Sequence, residues 1–150
     1  MRLLWSVILL SVIMAIAFQW VPRARLHVSA TLQHTLAFGL IIAGLTIRWS
    51  SILTLGPLVT VDVAIHPDHN LVETGLYKYI RHPSYAGLLL AFLGLGVFFA
   101  NWLSILVLFV PISLAVVNRI AKEEAALRSA LGEPYAAYCA RTKRLIPGLL

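Results

Sequence analysis

Apolar residues in this chain run in long blocks, and the charged residues fall between them. Three stretches contain no Asp, Glu, Lys or Arg: Leu3 to Val21 (19 residues), Leu26 to Ile47 (22) and Pro83 to Asn118 (36). A hydrocarbon core about 30 Å thick takes about 20 helical residues to cross. The first two stretches therefore predict one spanning helix each. The third would extend about 54 Å as one helix at ~1.5 Å per residue, too far for one crossing. Asn101-Trp102 divides it near its middle, and a polar residue beside an interface-seeking indole suits a tight turn. The pattern predicts four spans at about 3–21, 26–47, 83–100 and 103–118, the last two a compact hairpin. Pro111 is expected to kink the fourth. Val28-Ser29-Ala30 faintly resembles a signal-cleavage site, but the apolar core before it is too long and Arg23 and Arg25 intervene.

The expected fold class is thus all-α: a polytopic membrane protein whose 150 residues form one membrane domain, with a loop over 48–82 and a helical tail over 119–150. Composition agrees. The chain is 60% hydrophobic and 12% charged, where soluble domains are about 45–50% apolar and about 25% charged. A formal charge of +6 would suggest nucleic acid if it sat on a soluble domain. Four spans instead place Arg2, Arg48, Lys78, Arg81, Arg119, Lys122, Arg128, Arg141, Lys143 and Arg144 on one side, against Arg23 and Arg25 on the other. The positive-inside rule then puts both termini, the loop and the tail in the cytoplasm. The charge is explained by topology, and the lipid bilayer, not nucleic acid, is the expected partner. Cys139 is the only cysteine, so no internal disulfide forms. The final four residues, Pro147 to Leu150, carry no prenylation motif.

Polar chemistry gathers in the loop and the tail. Arg48-Trp49 reads as an interfacial anchor opening the loop. Val59, Val61, Val63 and Ile65 alternate with Thr60, Asp62 and Ala64, a weak strand signal. Gly75 suits a turn. Tyr77, Tyr79, Arg81, His82 and Tyr85 then crowd the mouth of the third span, with Pro83 placed for its first helical turn. An aromatic and basic interface belt would explain the tyrosines and snorkelling cations. It explains Arg81-His82-Pro83-Ser84-Tyr85 less well, because an anchor needs no such density of hydrogen-bonding groups, and ionisable groups at membrane depth are default functional candidates. His27 and His34, seven apart on the second helix, read as interfacial or packed, with no acidic or cysteine partner at metal spacing.

The second cluster follows the fourth span. Arg119, Glu123 and Leu127, four apart, share a helical face, with Glu124 beside them. As a solvated i,i+4 pair, Arg119 and Glu123 would contribute only about 0.2–0.5 kcal/mol. Two adjacent glutamates in a chain with six acidic residues suggest more than surface charge. Gly132 fits a helix C-cap, and Glu133-Pro134 starts a short helix carrying Tyr135 and Tyr138, which read as packing residues. Arg141, Lys143 and Arg144 most simply contact anionic headgroups.

Taken together, HNLVETGLY at 69–77, RHPSYAG at 81–87, Arg119 with Glu123, Glu124 and Leu127, LGEPYAAY at 131–138, and Arg144 with Pro147 resemble the isoprenylcysteine carboxyl methyltransferase family of integral membrane enzymes. The resemblance covers 69–147 in order and spacing. It implies S-adenosyl-L-methionine as methyl donor, bound at the cytoplasmic face without a Rossmann domain, and a lipophilic, prenylated or lipid-like methyl acceptor. Matched by position, His69, Asn70, Leu71, Val72, Tyr77, Arg81, His82, Pro83, Ser84 and Tyr85 would line the cofactor. Glu123 would hold a polar part of it, and Arg119 would face the acceptor; these two are the catalytic candidates. No metal is implied. Leu76 stands where related bacterial sequences commonly have proline, and Asp62 where the family has an amide, which removes that contact from the expected set.

The residue types suit those roles. A sulfonium is a fixed cation that a tyrosine face attracts by roughly 0.5–2 kcal/mol. The cofactor's carboxylate needs donors such as His82 and Arg81, and its ammonium and ribose hydroxyls need an acceptor such as Glu123. An acceptor carboxylate suits paired hydrogen bonds from Arg119. Such a carboxylate attacks a methyl sulfonium by direct displacement, with no general base. Two other readings fit the same residues: a phospholipid or other lipid N-methyltransferase, and a non-catalytic membrane subunit that keeps the fold.

Overall fold

The structure, a computed structural model, describes residues 2–56 and 71–146. Among these residues the fold is all-α: α1 (Arg2–Phe18), α2 (Ala30–Leu55), α3 (Pro83–Phe98), α4 (Trp102–Leu131) and α5 (Glu133–Arg141), with short 3-10 turns at Pro22–Ala24 and Gly75–Lys78. The alternating segment 59–65 lies outside the described residues, as do His69 and Asn70.

The long uncharged stretch breaks where its polar residue stands. Asn101 caps α4, its Oδ1 accepting from Leu103 N at 3.0 Å and Ser104 N at 3.3 Å. Pro83 opens α3, Gly132 at φ 57° closes α4, and Pro134 sits in the first turn of α5. Pro111 lies within α4 without ending it.

Two helices run further than the uncharged stretches that mark them. α2 continues past Arg48 and Trp49 to Leu55, and α4 passes Arg119 to reach Leu131. Charge marks where apolar surroundings end; it does not stop a helix. Conversely α2 begins only at Ala30, because Ser29 caps it by accepting from Leu32 N at 3.3 Å. His27 therefore precedes the helix and shares no helical face with His34, correcting the expected pairing. His34 packs against Phe98, ring centroids 5.7 Å apart.

Contacts join α1 to α4, α4 to α3, and α3 to α2. On α4 the buried positions recur every fourth residue: Ser104, Leu108, Ile112, Val116, Ile120 and Glu124. The apolar members of this stripe meet Leu4 and Ala15 of α1 in the main core. The α2–α3 seam is built from small residues. Ala37, Gly44 and Ser51, seven apart, are the buried positions of α2, opposite Gly87 and Gly94 of α3. α2 and α4, of 26 and 30 residues, are long and apolar enough to cross a membrane; α1 and α3 are shorter apolar helices.

Polar bonds tie the helix ends at one pole. Asn101 Nδ2 donates to Val21 O (3.2 Å), Leu26 N to Ala100 O (2.8 Å), Gln33 Nε2 to Phe98 O (2.6 Å) and Ser104 Oγ to Ala15 O (2.8 Å). Asn101, fully buried, serves both a cap and a cross-link. Asn101→Ala is expected to destabilise the protein by about 2 kcal/mol, combining a lost cap with a lost cross-link, while Val21 O keeps its bond from Ala24 N. Asn101→Ser, which keeps a capping oxygen, should fall between. Thermal unfolding in detergent checks this order. The opposite pole holds the end of α2, the start of α3, the end of α4, and α5.

Candidate active site at the loop and tail pole

At that pole the turn at Gly75 (φ 59°) leads into residues 79–82, which run beside the C-terminal tail. Lys143 N donates to Tyr79 O (3.2 Å), Arg81 N to Lys143 O (2.7 Å) and His82 N to Arg144 O (3.0 Å). Tyr138 Oη donates to Tyr77 O at 2.7 Å, joining α5 to the loop. Arg48, in the last turns of α2, donates to Ser84 Oγ (3.1 Å) and Ser84 O (3.3 Å). The start of α3 is thus fixed from α2, from α5 and from the tail.

The adjacent glutamates of α4 have separate surroundings. Glu123 Oε1 accepts from Tyr85 Oη at 2.6 Å and from Arg119 Nε at 2.7 Å. Tyr85 comes from α3, so the Arg119–Glu123 pair belongs to a partly buried cluster spanning two helices. Glu124, next in sequence, falls on the buried stripe. Its Oε1 accepts from Arg81 Nε (2.9 Å) and its Oε2 from Arg144 Nε (3.1 Å), with Arg144 Nη2 ion-paired 3.0 Å from Oε2. Burial disfavours the charged carboxylate, yet His82, Arg81 and Arg144 together outweigh that penalty and hold the Glu124 pKa at about 2. His82 stands between the two acids, Nδ1 3.8 Å from Glu123 Oε2 and Nε2 3.5 Å from Glu124 Oε1. Nε2 makes no hydrogen bond among the described residues, so the Glu124 contact is electrostatic.

Beside this cluster is a cavity of about 90 Å³. The expected residues Leu71, Val72, Tyr77, Arg81 and His82 line it, together with Leu55, Leu127, Tyr135 and Tyr138. Burial pushes the Tyr77 and Tyr135 phenols well above their ordinary pKa and Tyr138 up to about 12, so all three stay neutral donors. Tyr135 Oη is buried with no hydrogen-bond partner among the described residues. Arg81 and His82 both line the cavity and contact Glu124, and His82 also reaches Glu123. Pro83 and Ser84 serve construction here: one starts α3, the other accepts from Arg48. Most donors of Arg81 are likewise spent, on Glu124, on Cys139 O (3.2 Å) and on Thr142 O.

The family model described as "Isoprenylcysteine carboxyl methyltransferase (ICMT) family" matches residues 36–129. The chain belongs to this family. The matched segment of the ICMT-family chain includes Arg81, His82, Tyr85, Arg119, Glu123 and Glu124, while Arg144 lies beyond it. Protein-S-isoprenylcysteine O-methyltransferase of Schizosaccharomyces pombe is 33% identical over 128 residues, covering 84% of this chain and 54% of the relative. Protein-S-isoprenylcysteine O-methyltransferase B of Arabidopsis thaliana is 34% identical over 114 residues, covering 73% and 58%. The solved structure of a eukaryotic intramembrane Ras methyltransferase, ICMT, superposes with a TM-score of 0.73 at 29% identity, over 79% of this chain and 43% of that one. The chain spans little more than half the length of the curated relatives it matches.

Proposed function

We propose that this ICMT-family chain is a membrane-embedded methyltransferase that uses S-adenosyl-L-methionine to methylate the carboxylate of an isoprenylcysteine-like, lipophilic acceptor. The observation that carries the reading is the Tyr85–Glu123–Arg119 cluster, joined through His82 to a cavity walled by tyrosines and aliphatic side chains.

The residues present fit the cofactor. Three tyrosine rings suit a sulfonium and a purine, the aliphatic walls suit a dry pocket, and His82 Nε2 and Tyr135 Oη are buried polar atoms with no hydrogen-bond partner among the described residues. Leu71, Val72, Tyr77, His82 and Tyr85 would hold it, with His69 and Asn70 beyond the described residues and Glu123 as acceptor for its ammonium or ribose. When bound, S-adenosyl-L-methionine supplies an electrophilic methyl group. The acceptor carboxylate is its own nucleophile, so the protein has no proton to move. Arg119 holds that carboxylate by paired hydrogen bonds while Glu123 and Tyr85 fix the guanidinium. Leu55, Leu71, Val72 and Leu127 exclude water, so orientation and dryness provide most of the acceleration.

In this reading the 150 residues make one membrane domain in which α1, α2, α3 and the first half of α4 are the four spans, with the loop, tail and site in the cytoplasm. Exposed Leu9, Ile42, Leu53 and Leu114 support lipid-facing sides. The test is transfer of radiolabelled methyl from S-adenosyl-L-methionine to amine-blocked S-farnesylcysteine by protein reconstituted in vesicles. The product label should be released by base as volatile methanol. A base-stable label on an amine lipid, or no calorimetric binding of the cofactor, overturns the proposal.

A further inference from the structure

Headgroup attraction is the simplest account of a cationic tail, but Arg144 has a different partner. Two of its nitrogens reach Oε2 of Glu124, a carboxylate that is only 3% exposed. The tail main chain also pairs with the loop, through Arg81 N to Lys143 O and His82 N to Arg144 O. Arg81 reaches back across the same segment, donating to Glu124 Oε1 and to Thr142 O, and buried Thr142 donates through Oγ1 to Tyr138 O at 2.6 Å. These bonds close a ring: tail backbone, loop backbone, Arg81, Glu124, Arg144 and the tail again.

His82 sits inside that ring. Its N–H is held by Arg144 O and its imidazole lies between Glu124 and Glu123. As the N-cap of α3, at φ −126° and ψ 56°, His82 accepts through its carbonyl from Tyr85 N and Ala86 N (3.1 Å each), so α3 holds its C=O while the tail holds its N–H. Arg144 itself lines no part of the cavity.

We propose that Arg144 and Glu124 are positioning residues: with them, the segment Thr142–Arg144 is a clamp that fixes His82 between Glu123 and the cavity. The link from the clamp to turnover rests on the methyltransferase reading above; the clamp itself does not. Removing Arg144 leaves Glu124 to Arg81 and His82 and removes one side-chain tether of the tail, so both His82 and residues 142–144 loosen together.

The test uses the full chain in lipid nanodiscs, with Arg144→Ala, Arg144→Lys, Glu124→Gln and, as control, Arg128→Ala. Arg128 is an exposed cation near the end of α4, so its loss removes the same charge without touching the ring. In Arg144→Ala, amide exchange at Arg81 and His82 should rise at least ~10-fold, and cofactor binding and kcat should each fall about 10-fold, short of the ~100-fold that a full 1 Å misplacement can cost. The KM for the acceptor should stay within about twofold, since Arg119 is untouched. Arg144→Lys, which keeps the charge and one donor nitrogen, should recover part of kcat, and Glu124→Gln should resemble Arg144→Ala. Arg128→Ala should match wild type. Equal effects of Arg128→Ala and Arg144→Ala would point to headgroup attraction and overturn the clamp. So would unchanged exchange at 81–82 in Arg144→Ala, or in Arg144→Lys and Glu124→Gln should the alanine variant not fold. A wild-type chain that binds no cofactor overturns the functional reading, while the exchange measurement still decides the clamp.

Discussion

Replacing Arg119 by alanine is expected to lower kcat/KM for a carboxylate acceptor about 100-fold, chiefly by raising the acceptor KM. Hydrogen bonds to charged groups contribute about 1.5–3 kcal/mol each, and 1.4 kcal/mol is a factor of ten. A two-pronged guanidinium–carboxylate contact therefore carries at least a factor of about 100. Arg119→Lys keeps the charge but not the planar fork, and should lose about tenfold. Cofactor affinity is the separating measurement. Glu123 remains held by Tyr85 at 2.6 Å when Arg119 is gone, so calorimetric binding of S-adenosyl-L-methionine should stay near wild type. Glu123→Ala should do the opposite, weakening cofactor binding first. An enzyme acting on amines has no use for a cation at the acceptor and would tolerate both Arg119 variants. Wild-type kcat/KM in Arg119→Ala would remove the carboxylate reading.

How far the site could be read from sequence depended on which physical signal each residue left. Asn101 was legible because a polar residue amid 36 uncharged ones has few uses other than a turn or cap, and it provides the cap. Gly75, Pro83 and Gly132 were legible for a similar reason: positive φ at the two glycines and a first-turn proline are local requirements. Helix ends within charged sequence were not. The end of α2 is set by Gly56 at φ 53°, eight residues past the first charge, and nothing in the hydropathy pattern marks it. His27 was placed on a helix because its surroundings are apolar, whereas Ser29 decides where that helix starts.

Within the site, the resemblance placed Tyr85, His82, Arg119 and Glu123 together, and the described geometry joins them directly. The division of labour between Glu123 and Glu124 needed the packing. One signal could have found it: Glu124 continues the series Ser104, Leu108, Ile112, Val116, Ile120 at every fourth residue, so the stripe points it inward and leaves Glu123 beside it. Their spacing gives Tyr135 and Tyr138 as packing residues, and they do pack, but they also wall the cavity. A tyrosine's hydropathy does not distinguish these uses; its neighbours in space do. Leu127 stands out in sequence only through its spacing from Arg119 and Glu123 and carries no assigned role, since a leucine at a cavity wall and one facing lipid are the same letter.

Gly87→Leu is expected to be strongly destabilising although it lies outside the carboxylate cluster. A Cβ on Gly87 would stand 2.5 Å from Gly44 O and 2.7 Å from Arg48 N, and a Cβ on Gly44 would stand 2.6 Å from Ala91 N and Gly87 O. All of these are backbone atoms of the opposing helix, so no side chain can turn aside to make room. The heptad spacing of Ala37, Gly44 and Ser51 keeps small residues in register along the contact, the arrangement by which membrane helices approach closely without a hydrophobic drive. Overpacking typically destabilises by about 1–3 kcal/mol. Gly87→Ala already forces the helices apart, and leucine adds three carbons with nowhere to go, so about 3 kcal/mol or more is expected, lowering the Tm by roughly 10 °C. Gly39→Leu on α2 is the control, with nothing within 4 Å of its Cβ position; there the better helix propensity should leave the Tm unchanged or raise it. The damage from Gly87→Leu should also reach the site. Arg48 ties α2 to Ser84 one turn before Gly87, so separating the helices pulls on the start of α3 and on His82. Cofactor binding by the surviving folded fraction should therefore weaken along with stability. A Gly87→Leu protein that unfolds at the wild-type temperature would show that α2 and α3 do not meet at this seam.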